Sequence, residues 1–87
     1  MKEAPLEGQD GDEKLRALMH IGELHRQSGE EITKFQLHPG DWDQLSQAPG
    51  AAAAIDIFEG KLLGAECDVA DTVPQGTVYF EVRQSAT

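Results

Sequence analysis

The chain has 87 residues, a formal charge of −9 and a single cysteine. A chain this short supports one domain, and its seven Lys and Arg residues argue against a phosphate backbone or an anionic membrane as its ligand, since both are held by cationic side chains. The lone Cys67 excludes an internal disulfide, and no apolar run approaches the ~18 residues needed to cross a bilayer.

Met1–Asp10 carries Pro5, Gly8 and scattered charges without periodicity, so residues 1–11 are expected to form a loose acidic tail, unlike a signal peptide. A helix is predicted over Asp12–Gln27. Asp10 or Asp12 caps it, and Leu15, Leu18, Met19 and Gly22 make one stripe that Ile21 and Leu24 widen. Lys14, Glu23 and Gln27 are expected to face water, and Ser28-Gly29 to stop the helix. Glu30–His38 reads as a half-buried strand, with Phe35 and Leu37 alternating with Lys34, Gln36 and His38. Pro39 ends that strand and opens a second helix, which docks Trp42 and Leu45 and stops before Pro49-Gly50.

Ala51–Ala54 is expected to be an irregular lead-in to a strand at Ile55–Phe58, with Ile55 and Ile57 on one face and Glu59-Gly60 turning the chain. Leu62–Val69 and Val78–Val82 then read as two alternating strands joined by a turn around Pro74. In the first, Leu63, Ala65, Cys67 and Val69 share the buried parity. Ser85–Thr87 should fray. The expected fold is α+β, one domain over residues 12–84, with an N-terminal helix, a second short helix and a small antiparallel sheet of three to four strands with the helices on one face.

Chemistry-bearing patterns are sparse. Cys67 falls on the buried parity and reads as an inert core thiol, and Ser28, Ser46 and Ser85 lack a nucleophile elbow. His20 and His25 are five apart, not the four that places two ligands on one helix face, so with His38 they read as hydrated surface imidazoles. Asp10, Asp12 and Glu13 around Gly11 lack the spacing and the bidentate Glu of a calcium loop. The expectation is therefore a non-enzyme with no metal or cofactor. The most informative set is Asp56, Glu66, Asp68 and Glu81. Each has the parity opposite the apolar residues, which predicts four carboxylates on the solvent face of the sheet. Trp42, flanked by Asp41 and Asp43, is a second candidate contact.

Three stretches carry a resemblance. Phe35–Leu45 (FQLHPGDWDQL), Leu62–Val69 (LLGAECDV) and Val73–Val78 (VPQGTV) resemble a segment of tailed-phage major capsid proteins. There an apolar strand precedes Pro-x-Asp-Trp at a helix start, and Pro-x-Gly-Thr precedes a final strand. The similarity covers about half of the chain, which lacks the long arm and extended loop of a full capsid subunit. It implies a phage-derived protein-binding module acting in the virion or the host cytoplasm, and a small structural or assembly accessory protein as the first expectation. The alternative is an acidic inhibitor, similar in kind to anti-CRISPR proteins, that blocks a basic groove as a nucleic-acid mimic. Both imply a protein partner (phage structural proteins, or one with a basic surface), and self-association suits the first.

Overall fold

The computed structural model describes residues 1–56 and 59–84. The elements in chain order are β1 (Lys2–Pro5), α1 (Gly11–Gln27), β2 (Glu30–Leu37), α2 (Pro39–Ser46), α3 (Ala51–Ala54), β3 (Ile55–Asp56), β4 (Lys61–Leu62), β5 (Ala65–Val69) and β6 (Thr77–Gln84). The class is α+β.

Local chemistry sets the helix ends. Asp10 has extended backbone, and its carboxylate accepts from the Glu13 N–H at 2.9 Å, satisfying one of the free donors of the first turn of α1. Asp12 and Glu13 follow at the positive end of the helix dipole, with His25 and Arg26 at the negative end. Gly29, at φ +79°, reverses the chain in a conformation that costs other residues more. In α2, Pro39 occupies the first turn and His38 caps it, Nδ1 accepting from the Gly40 N–H at 3.0 Å. The four alanines form α3, so helix propensity wins where an irregular lead-in was expected.

The buried stripe of α1 is turned relative to the sequence reading. Leu15 and Leu18 are buried, but Met19 and Leu24 are 55% and 50% exposed, while Lys14, expected in water, is only 6% exposed. A buried carboxylate on α2 holds Lys14 inside.

The sheet is six-stranded and mixed, in the order β1-β6-β2-β5-β4-β3, which corrects the expected antiparallel sheet of three to four strands. β2 and β5 run parallel and every other neighbouring pair is antiparallel. A parallel pair needs a long crossover, and here α2, α3, β3 and β4 supply it.

Three differences account for the change. β5 and β6 are not a hairpin, because β2 lies between them. Their connection crosses the end of β2, where Ala70 N–H donates to the Leu37 carbonyl at 2.9 Å and Val73 is buried. Lys2–Pro5, expected to be loose, pairs with β6, and Leu6 is buried as its N–H donates to the Gly76 carbonyl at 2.8 Å. Four residues of edge strand are too few for a period to register. Finally, Leu62–Val69 is broken at Leu63-Gly64, both with positive φ (53° and 82°), in a two-residue hairpin turn. Leu63 is consequently 37% exposed instead of buried, and Val69 at the far end of β5 is 42% exposed. Ile57 and Phe58 of the expected third strand, and the Ser85–Thr87 end, lie outside the described residues.

The core gathers Leu6, Leu15, Leu18, Phe35, Leu37, Leu45, Leu62, Ala65, Val78 and Phe80 between the helices and one face of the sheet. The alternate residues of β2, β5 and β6 form the other face, open to solvent.

Candidate functional site

Residues opposite one another in neighbouring strands project to the same face of a sheet. The register places Asp56 opposite Lys61, Lys61 opposite Glu66, Glu66 opposite Lys34 and Lys34 opposite Glu81. The result is one row across five strands in which acid and base alternate. A second row runs Asp68, Gln36, Tyr79 and Glu3, and Glu31 faces Arg83 beyond the first. Asp56, Glu66, Asp68 and Glu81 are thus on one open face, and all four are exposed.

The bases on that face are what the sequence reading left out. Lys34 Nζ lies 2.9 Å from Asp68 Oδ2, and this hydrogen bond, then the carboxylate charge, raises the Lys34 ammonium above its ordinary value. Arg83 reaches Glu31 Oε2 through two nitrogens, at 3.0 and 3.2 Å. Lys34, Glu31, Lys61, Glu66, Glu81 and Arg83 border a shallow depression of about 310 Å³. Their signal was present in the chain, since Lys34 and Arg83 have the same parity as the acids.

Trp42, Asp41 and Asp43 do not join this face. They lie on α2, in the helical layer, and only Asp43 is exposed. Trp42 is half-buried and packs against the core. Asp41 is fully buried: Oδ1 accepts from Lys14 Nζ at 2.7 Å and Oδ2 from the Gly76 N–H at 2.8 Å. Lys14 Nζ also donates to Gln44 Oε1. A carboxylate so enclosed serves the fold and is not a partner contact.

Two of the three histidines depart from the hydrated-surface expectation. His20 is exposed, but His38 is a helix cap. His25 lies edge-on to Phe80, with ring centroids 5.1 Å apart, and its Nδ1 is 2.9 Å from Glu30 Oε1. That hydrogen bond holds the Glu30 carboxyl below its usual value.

Cys67 is half-buried, and burial, then the neighbouring Asp68 charge, pushes its thiol up to about 11. It is therefore protonated at neutral pH and a poor nucleophile. Iodoacetamide at neutral pH is expected to label it slowly in the folded chain and fast in urea. Equal rates would show an accessible thiolate.

Among the described residues, no three His, Cys, Asp or Glu side chains are grouped to hold a metal ion, and no helix is long and apolar enough to cross a membrane. No family model, curated protein or solved structure matches the chain.

Proposed function

We propose that the chain is a non-enzymatic protein-binding module whose contact surface is the open sheet face. The observation that supports this reading is the row Asp56-Lys61-Glu66-Lys34-Glu81, an ordered charge pattern on a rigid sheet that a partner of complementary pattern matches. Its ends and centre are acidic and the whole chain carries −9, so the favoured partner is a protein with a basic surface.

The interleaved lysines bear on what kind of partner this is. A nucleic-acid mimic presents carboxylates in series, whereas here each acid of the row has a base beside it. This favours a structural or assembly contact over the blocking of a nucleic-acid groove. The capsid resemblance points the same way, and its three stretches lie together around β2, with Asp41 of the first hydrogen-bonded to Gly76 of the third. Phage origin remains part of the proposal and rests on that resemblance.

The test is the triple reversal E66K/D68K/E81K, made at exposed positions so that folding survives. Immobilised wild-type chain is expected to retain a discrete basic protein from a lysate or from disrupted virions, and the triple variant to lose it with its circular dichroism unchanged. Capture that survives the reversal would remove the open face from consideration. Capture through this charge row should weaken as salt is added, and capture indifferent to salt would count against the row as the contact.

A further inference from the structure

The sequence contains one Asp-Gly pair, Asp10-Gly11, and no Asn. An Asp-Gly peptide rearranges more readily than other aspartyl peptides, because Gly has no Cβ to hinder its nitrogen from reaching the preceding carboxyl. The Gly11 nitrogen attacks Asp10 Cγ, the N–Cγ bond forms, and the N–H proton leaves with the carboxyl hydroxyl as water. Water then opens the five-membered imide. Cleavage of the bond from nitrogen to Cγ restores Asp. Cleavage of the bond to the former backbone carbonyl gives isoaspartate, whose main chain runs through Cβ and Cγ and whose α-carboxylate is free. One water is lost and one regained, so the mass is unchanged and no co-reactant is needed.

The fold opposes this reaction from three sides. Closing the ring takes Asp10 out of its extended backbone (φ −133°, ψ 174°) and its carboxylate off the Glu13 N–H. It also disturbs the Asp10 carbonyl, which accepts from the Lys14 N–H at 3.1 Å and fixes the Asp10-Gly11 peptide at the start of α1. Gly11 itself is buried against the Gln44 carbonyl of α2 and the Ala48 side chain, which keeps it from swinging towards the carboxyl. The incoming loop is held too, since Leu6 is buried and Gly8 lies against Glu13 too closely for a Cβ.

The same contacts make the product a misfit. Isoaspartate adds a methylene to the main chain beside Gly11, where a single methyl group already has no room. The first turn of α1 can then no longer be capped by residue 10 and rest on α2 at once, and Lys14, one turn on, is drawn away from Asp41 and Gln44.

We propose that Asp10-Gly11 is a self-modification site, forming isoaspartate, that the cap of α1 holds closed. It converts only when the first turn of α1 lifts from α2, and conversion prevents the turn from seating again. A free isoaspartyl α-carboxylate, the substrate class of the carboxyl methyltransferases that act on aged proteins, is therefore presented only by molecules that have opened. The site is independent of the open sheet face.

The test is to incubate the full chain in warm neutral buffer with and without urea. Isoaspartate is counted by methyl transfer from labelled S-adenosylmethionine with an isoaspartyl methyltransferase, and located by fragmentation in the mass spectrometer. It is expected at residue 10, forming about tenfold or more slowly in the folded chain than in urea, because opening of the helix end must come first. Asp10→Ser, which caps as well but cannot form the imide, should show none there with the fold intact. Asp10→Asn also keeps the cap and loses ammonia in place of water, so its gain in mass should report the same protection. Converted chains, separated by chromatography, should unfold at lower urea than unconverted ones. Equal rates in folded and unfolded chain would overturn the gating by the cap, absence of isoaspartate at residue 10 in urea would overturn the site, and an unchanged urea midpoint after conversion would overturn the misfit.

Discussion

Asp41→Ala is expected to remove about 3–5 kcal/mol of stability, the usual consequence of stranding one member of a buried ion pair. A domain of this length has roughly 4–13 kcal/mol in total, so the variant should be largely unfolded on modest heating. The reason is geometric. One fully buried carboxylate binds Lys14 on α1 through one oxygen and the Gly76 N–H, at the end of the β5–β6 connection, through the other. Removing it leaves an ammonium inside the protein without its counter-charge and a backbone donor without an acceptor. Asp41→Asn should be milder, because it keeps an acceptor for Gly76. The double variant Lys14→Met/Asp41→Leu should recover most of the loss, since the desolvation cost of both charges disappears together. Urea denaturation of the four proteins checks this. A single-variant loss below about 1 kcal/mol would mean that water reaches Lys14.

Gly11→Ala is expected to cost roughly 3 kcal/mol, at the upper end of what overpacking does. A Cβ built on Gly11 falls onto the carbonyl of Gln44 and meets the Ala48 side chain at 3.2 Å. The start of α1 and the end of α2 therefore touch backbone to backbone, and a methyl group there must push the helices apart. The gain of about 1 kcal/mol in helix propensity offsets only part of this. Gly22, on the same helix with nothing within 4 Å, provides the control of opposite sign. Gly22→Ala should stabilise by up to about 1 kcal/mol. Thermal melts of both variants decide the matter, and a neutral Gly11→Ala would show that the helices separate freely. The effects of Gly11→Ala and Asp41→Ala should fall short of additive, because both loosen the α1–α2 contact.

Features governed by near neighbours could be read from the chain. Asp10 before Glu13, Gly29 after a helical run and Pro39 at a helix start act within one turn, and each is where the sequence places it. The parity of Val78 and Phe80 was equally legible, and with it the shared face of Glu66, Asp68 and Glu81. What escaped was non-local. Lys14 looks like a surface residue until Asp41, 27 positions away, is brought beside it. The placing of β2 between β5 and β6 leaves no mark on any short window. Nor does any short window show that β5 pairs with β2 only from Lys34 onward. Leu63 broke a strand because its turn accepts a residue that turn chemistry disfavours, and no propensity argument anticipates that.

The position of β6 bears on how the sheet is assembled in the cell. Thr77–Gln84 is the last described segment to leave the ribosome, yet it is the strand that joins β1 to β2. Until it emerges, the N-terminal segment has no neighbour to pair with, and Phe35 and Leu37 sit on a strand lacking its principal partner. The sheet can therefore be completed only after this strand emerges, and pairings between residues so distant in sequence are expected to form slowly. During that interval the nascent chain displays an apolar strand edge, the kind of surface that chaperones occupy and that aggregation exploits.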